Sequence, residues 1–167
     1  TPGHQDFSED TYRTLMAADS VVMVIDAAKG IEAQTRKLFK VCAMRHIPIF
    51  TFINKLDREA RDPFELLDQL EKEFGIGTYP VNWPIGCGVE FKGVFDRDKR
   101  EILSFADMHK GKEKIKPTPC DITDIEKLDS LIGEYQRAEL VDQIELLDGA
   151  SYEFDLEKVR KGELTPV

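Results

Sequence analysis

A chain of 167 residues, 41% of them hydrophobic, can bury one ordinary core and is too apolar for wholesale disorder. Its 32 acidic against 23 basic residues, a formal charge of −9, disfavour direct nucleic-acid binding, because phosphates need Lys and Arg as counter-charges. No run approaches the roughly 20 apolar residues of a membrane span, and no basic-then-apolar signal pattern opens the chain, so a cytoplasmic protein without a membrane partner is expected.

In chain order, residues 8–18 have the pattern of a helix, and Val21-Val22-Met23-Val24-Ile25 is a short β-branched run ending at Asp26. Continuous rather than alternating apolarity predicts a strand buried on both faces. Residues 32–45 fit a crossover helix packing through Leu38, Phe39, Val41 and Cys42. A second apolar run, Ile47 to Ile53, ends at Asn54, with Pro48 at its start, where a missing N–H is tolerated. Asp62-Pro63-Phe64-Glu65 opens a third helix with a capping residue, a first-turn proline and a capping-box glutamate. Its buried stripe is Leu66, Leu67, Leu70 and Phe74, and Gly75 stops it.

After Gly75 the character changes. Val89–Phe95 and Glu101–Phe105 flank a charged stretch and predict a hairpin, and Trp83 is expected in core or hairpin packing. Residues 109–119 look like a connector. Thr123 with Glu126 predicts a capping box, followed by a helix that Gly133 interrupts and Gly149 ends. Alternating strands and helices over residues 1–75 make this an α/β chain with a parallel sheet. Residues 76–163 form a second, β-then-α part, and residues 164–167 begin a strand returning to the first sheet.

Two motifs carry chemistry. Asn54-Lys55-Leu56-Asp57 follows a strand, at the sheet edge where open α/β folds bind ligands. The Asp57 carboxylate can accept both N1–H and the exocyclic amine of guanine, whereas adenine would leave it unpaired. Asn54 can donate to the purine edge, and the Lys55 stem can lie along the base with its ammonium in water. In Thr1-Pro2-Gly3-His4, glycine lets the backbone approach a phosphate and histidine could orient an attacking water. A plain proline-glycine turn also accounts for those four residues. The three cysteines, Cys42, Cys87 and Cys120, are too far apart for a zinc pattern, and no metal ligands are assigned. No Gly-x-x-x-x-Gly-Lys-Ser/Thr loop occurs in the chain, and it starts at Thr1 and stops at Val167, as an excised piece would.

The sequence resembles the translational GTPases. Thr1-Pro2-Gly3-His4 with Asp6-Phe7 is similar to that family's switch II motif, and Asn54-Lys55-Leu56-Asp57-Arg58 to its guanine-specificity motif. Within the family it looks like the bacterial GTPase-type peptide-chain release factors, through Phe7–Leu15, Asp26–Glu32, Arg61-Asp62-Pro63 and Gly162–Val167. The resemblance implies a truncated P-loop-type GTPase domain over residues 1–75 with an inserted α+β subdomain over residues 76–163. It makes His4 the catalytic residue that positions water and Gly3 a γ-phosphate sensor. Thr1, Pro2, Gly3, His4, Asn54, Lys55, Leu56 and Asp57 would contact GTP or GDP, used with Mg²⁺. The implied partners are the ribosome and the codon-reading release factors that GTP hydrolysis helps to dislodge. Without a phosphate loop, the chain by itself is expected to be inactive. An elongation-type translocase and a non-catalytic interaction module are the alternatives.

Overall fold

A computed structural model describes residues 8–105 and 117–167. They divide into two compact units. The first holds the described residues within Thr1–Lys55, with Ala60–Tyr79 and Tyr152–Val167, and the second holds Leu56–Glu59 and the described residues within Pro80–Ser151.

In the first unit, α1 (Ser8–Met16) leads to β1 (Val21–Asp26), α2 (Ala33–Met44), β2 (Ile49–Asn54), α3 (Pro63–Phe74) and β3 (Gly77–Tyr79). β1 and β2 are parallel, in register from Val21 opposite Ile49 to Asp26 opposite Asn54. That register ends both strands level, so Asp26 and Asn54 share one edge. Leu15, Phe39, Cys42, Ile47, Ile49 and Ile76 form the core, with Val21, Met23 and Phe74 packed against it. The Phe39 and Phe74 rings stack at 3.8 Å and tie α2 to α3.

The expected burial of both strand faces does not hold among the described residues. Val22, Val24, Phe50 and Phe52 are exposed, while Ile25, Ile49 and Thr51 are buried. Side chains alternate along a strand, and the core lies on one face alone. α3 follows its expected signals closely. The Asp62 carboxylate accepts from Phe64 N at 2.7 Å and Glu65 N at 3.4 Å, and Gly75 at φ 65° closes the helix with its N–H on Glu71 O.

The second unit contains β4 (Asn82–Ile85), β5 (Gly93–Asp96), β6 (Glu101–Ser104) and β7 (Pro117–Pro119), an antiparallel sheet in that order. β5 and β6 make the expected hairpin, with Asp96 Oδ1 accepting from Lys99 N at 2.9 Å in its turn. Residues 88–90, expected at the head of the first hairpin strand, form a 3-10 turn instead. Gly93 is obligatory, since a Cβ there would lie 2.1 Å from Leu103 O. The end of the expected connector, Pro117–Pro119, is the edge strand β7, where prolines cost no ladder bond, and residues 109–116 lie outside the described residues.

Two helices complete this unit, α4 (Ile125–Ile132) and α5 (Glu134–Ala150), separated at Gly133 as expected. The cap of α4 is Asp124, which accepts from Lys127 N, and not Thr123. Thr123 instead donates through N–H and hydroxyl to Asp121 Oδ1. The helix expected to stop at Gly149 runs one residue further. Trp83 is buried, and its indole N–H donates to Gln143 Oε1 at 2.7 Å, fastening β4 to α5.

The chain then returns to the first unit through α6 (Leu156–Lys161) and β8 (Leu164–Pro166). β8 pairs in parallel with β3, and the Thr165 hydroxyl donates to Ile49 O at 2.9 Å and meets Thr51 Oγ at 2.9 Å. β3 and α6 thus belong to the first unit.

Candidate functional site

The carboxyl edge of β1 and β2 concentrates polar groups that strand ends leave pointing past the ladder. Asn54, the last residue of β2, is exposed, and its side-chain Oδ1 accepts from the next backbone N–H, Lys55 N, at 3.0 Å. With the oxygen so engaged, the Asn54 amide is the group left to donate to a ligand. Lys55 sits at φ 71°, a left-handed conformation that costs a non-glycine residue energy and turns the chain sharply off the strand.

From that turn the Lys55 ammonium reaches across to Asp26 Oδ2 at 2.7 Å. The ammonium therefore rests on a carboxylate, where the sequence suggested open water. Asp26 Oδ1 also accepts from Ala28 N at 3.0 Å and Lys29 N at 3.2 Å, closing a tight turn after β1. The hydrogen bond from Lys55, helped by those two backbone N–H groups against a smaller opposing effect of desolvation, lowers the Asp26 carboxyl to about 2. It is fully ionised at neutral pH.

The turn after β1 is braced by residues just before and within α3. Arg61 N donates to Ala27 O at 3.1 Å and Arg61 Nε to Ala28 O at 3.1 Å. Gln69 Oε1 accepts from Ile31 N at 3.5 Å.

Leu56 and Asp57 belong to the second compact unit, in which Gly88 N–H donates to Leu56 O at 2.8 Å. Leu56 is half-buried and Asp57 exposed. Thr1, Pro2, Gly3 and His4 lie outside the described residues. Asp26 is the residue the sequence reading passed over. Its signal was two apolar strand runs each ending on a polar residue, which parallel pairing in register brings side by side.

Among the described residues no three His, Cys, Asp or Glu side chains form a group able to hold a metal ion. None of their helices is long and apolar enough to cross a membrane.

The chain is 60% identical over its whole length to peptide chain release factor 3 of Gloeobacter violaceus, of which it covers 31%. It is 58% identical to peptide chain release factor 3 of Synechococcus elongatus and 54% identical to that of a Cyanothece species, again over its whole length and covering 30% and 31% of them. It thus spans about a third of the length of these curated relatives. A crystal structure of a Thermus thermophilus protein superposes on all of it with a TM-score of 0.67 at 23% identity, using 26% of that chain, and shares its fold. The family model described as the elongation factor Tu GTP binding domain matches residues 1–160. With its mixed α/β architecture and with that match over nearly its whole length, the chain belongs to the elongation factor Tu GTP-binding domain family of translational GTPases.

Proposed function

We propose that this chain supplies the guanine-reading part of a GTPase that acts in translation termination. The observation that carries the reading is that Asn54 and Lys55, which open the Asn54-Lys55-Leu56-Asp57 tetrad, leave the carboxyl end of β2 beside Asp26, in a chain 54–60% identical to proteins named peptide chain release factor 3. All the relatives named above carry that name, which favours termination over translocation.

In this reading the Asp57 carboxylate accepts from guanine N1–H and the 2-amine, the Asn54 amide donates to the purine edge, and the Lys55 stem flanks the ring while Leu56 carries the chain past it. Thr1, Pro2, Gly3 and His4 serve the phosphate end. Gly3 approaches the γ-phosphate and His4 orients the water that attacks γ-phosphorus, so that the bond to the GDP oxygen breaks and inorganic phosphate leaves. In this reading Mg²⁺ accompanies the nucleotide, bridging its phosphates. The stretch between β3 and α6 is an α+β subdomain inserted into a P-loop-type GTPase domain. The ribosome and codon-reading release factors are the partners of the full-length protein, in which nucleotide state releases those factors.

The test is base specificity in a full-length protein carrying this chain. Asp57→Asn should move preference from guanosine to xanthosine nucleotides, because an amide can donate to the 2-oxo group where a carboxylate only accepts. Undiminished preference for guanosine nucleotides in that variant would refute the role given to Asp57.

A further inference from the structure

We propose that Asp26 is the positioning residue for Lys55, fixing its side chain across the carboxyl edge of the sheet so that the stem is already in place when a purine arrives. The inference rests on the guanine-site reading above and adds a residue outside the tetrad to it.

A surface ion pair between two long side chains is ordinarily worth little, because ordering both offsets the attraction. Here one partner is not mobile. Asp26 ends β1 directly opposite Asn54 in the parallel register, so both strands hold its backbone level with the base of the tetrad. Its Oδ1 is engaged by Ala28 N and Lys29 N, which fixes the carboxylate plane and leaves Oδ2 for Lys55 at 2.7 Å. Arg61 holds the far side of the same turn through Ala27 O and Ala28 O. The carboxylate is mostly screened from water, with 16% of its side chain exposed against 45% for Lys55, so the lysine is the only side of the pair that must lose freedom. Lys55 leaves the strand at φ 71°, and from that turn its ammonium reaches Asp26 Oδ2 across the strand ends.

Held this way, the lysine pays none of its ordering entropy on binding. The stem keeps a flat apolar edge for the base, and its charge stays neutralised by Asp26, away from the nucleotide. Asp26 thereby sets affinity, whereas Asp57 sets which base is accepted.

The discriminating substitution is Asp26→Asn. An Asn Oδ1 still accepts from Ala28 N and Lys29 N, so the turn survives, while the negative charge facing Lys55 is replaced by an amide that can only donate. The measurement is a double-mutant cycle with Lys55→Ala in a full-length protein carrying this chain, read as the dissociation constant of a fluorescent GDP analogue. Asp26→Asn should weaken binding about tenfold in the Lys55 background, the size of one charge-assisted contact, and by less than about twofold in the Lys55→Ala background. Preference for guanine over xanthine should stay unchanged. An equal loss in both backgrounds, which general damage to the fold would produce, overturns the proposal. So does a change below about twofold with Lys55 present. If Asp57→Asn switches the base preference and Asp26→Asn has no effect, this inference fails while the base reading stands. If Asp57→Asn leaves the preference for guanine intact, the base reading fails and takes this inference with it.

Discussion

Removing Asp148 should loosen the second unit, by an amount its geometry sets. The side chain of Arg97 is 6% exposed, and its guanidinium donates to Asp148 Oδ1 at 2.7 Å, to Pro80 O at 2.7 Å and to Ser151 Oγ at 3.3 Å. Arg100 donates to the other carboxylate oxygen at 2.9 Å. One carboxylate on α5 therefore neutralises two cations of the hairpin turn. Breaking a buried pair costs about 3–5 kcal/mol. Because Asp148 is itself 35% exposed, water and salt recover part of that, and about 2–3 kcal/mol is expected for Asp148→Ala. Asp148→Asn keeps an acceptor but no charge and should cost about half as much. Trp83, the single tryptophan of the chain, is buried in the same unit against α5, so its fluorescence in urea reports this unfolding directly. With a denaturant slope of about 2 kcal/mol per molar, the midpoint for Asp148→Ala should fall by about 1 M. The pH dependence has a fixed sign. Partial burial raises the Asp148 carboxyl, but the hydrogen bonds from Arg97 and Arg100 outweigh it and hold the group below the ordinary carboxylate range. A lowered folded value means that the contribution is complete above the unfolded value of about 3.9 and is lost as pH falls through the folded one. A cost below about 0.5 kcal/mol, the scale of a solvated surface pair, would refute the buried-anchor argument.

Asp62→Ala should cost about 1 kcal/mol of stability, since it removes the acceptor for Phe64 N and Glu65 N at the start of α3; an unchanged thermal midpoint would sink this reading of the cap. The 167-residue chain alone, titrated with a fluorescent GDP analogue, should show no binding at high micromolar concentration, because no phosphate-loop motif occurs in it. Tight guanine-specific binding would require phosphate-holding groups other than those assigned here.

Much of the first unit was legible because its signals are local. Asp62, Pro63 and Gly75 mark the ends of α3 through capping and backbone geometry that involve only neighbours in sequence. The tetrad at Asn54 was legible for a similar reason, since a strand ending on a polar run defines a sheet edge. Other local signals competed. Thr123 and Asp124 are both capping residues, and which one caps α4 was decided when Asp121 took the Thr123 hydroxyl. The cap of α6 at Asp155 and its stop at Gly162 were present in the sequence but went unread behind the stop signal at Gly149.

Local sequence signals specify the helices and strands of residues 8–75, the break at Gly133 and the hairpin of β5 and β6, because propensity and capping are properties of residues and their nearest neighbours. The tertiary structure alone decided that β1 and β2 bury one face, that β3 and β8 close the first unit around residues far apart in the chain, and that Lys55 meets Asp26. Those outcomes depend on strand register and on which face a helix covers, and both are settled by contacts between distant segments that no local pattern encodes.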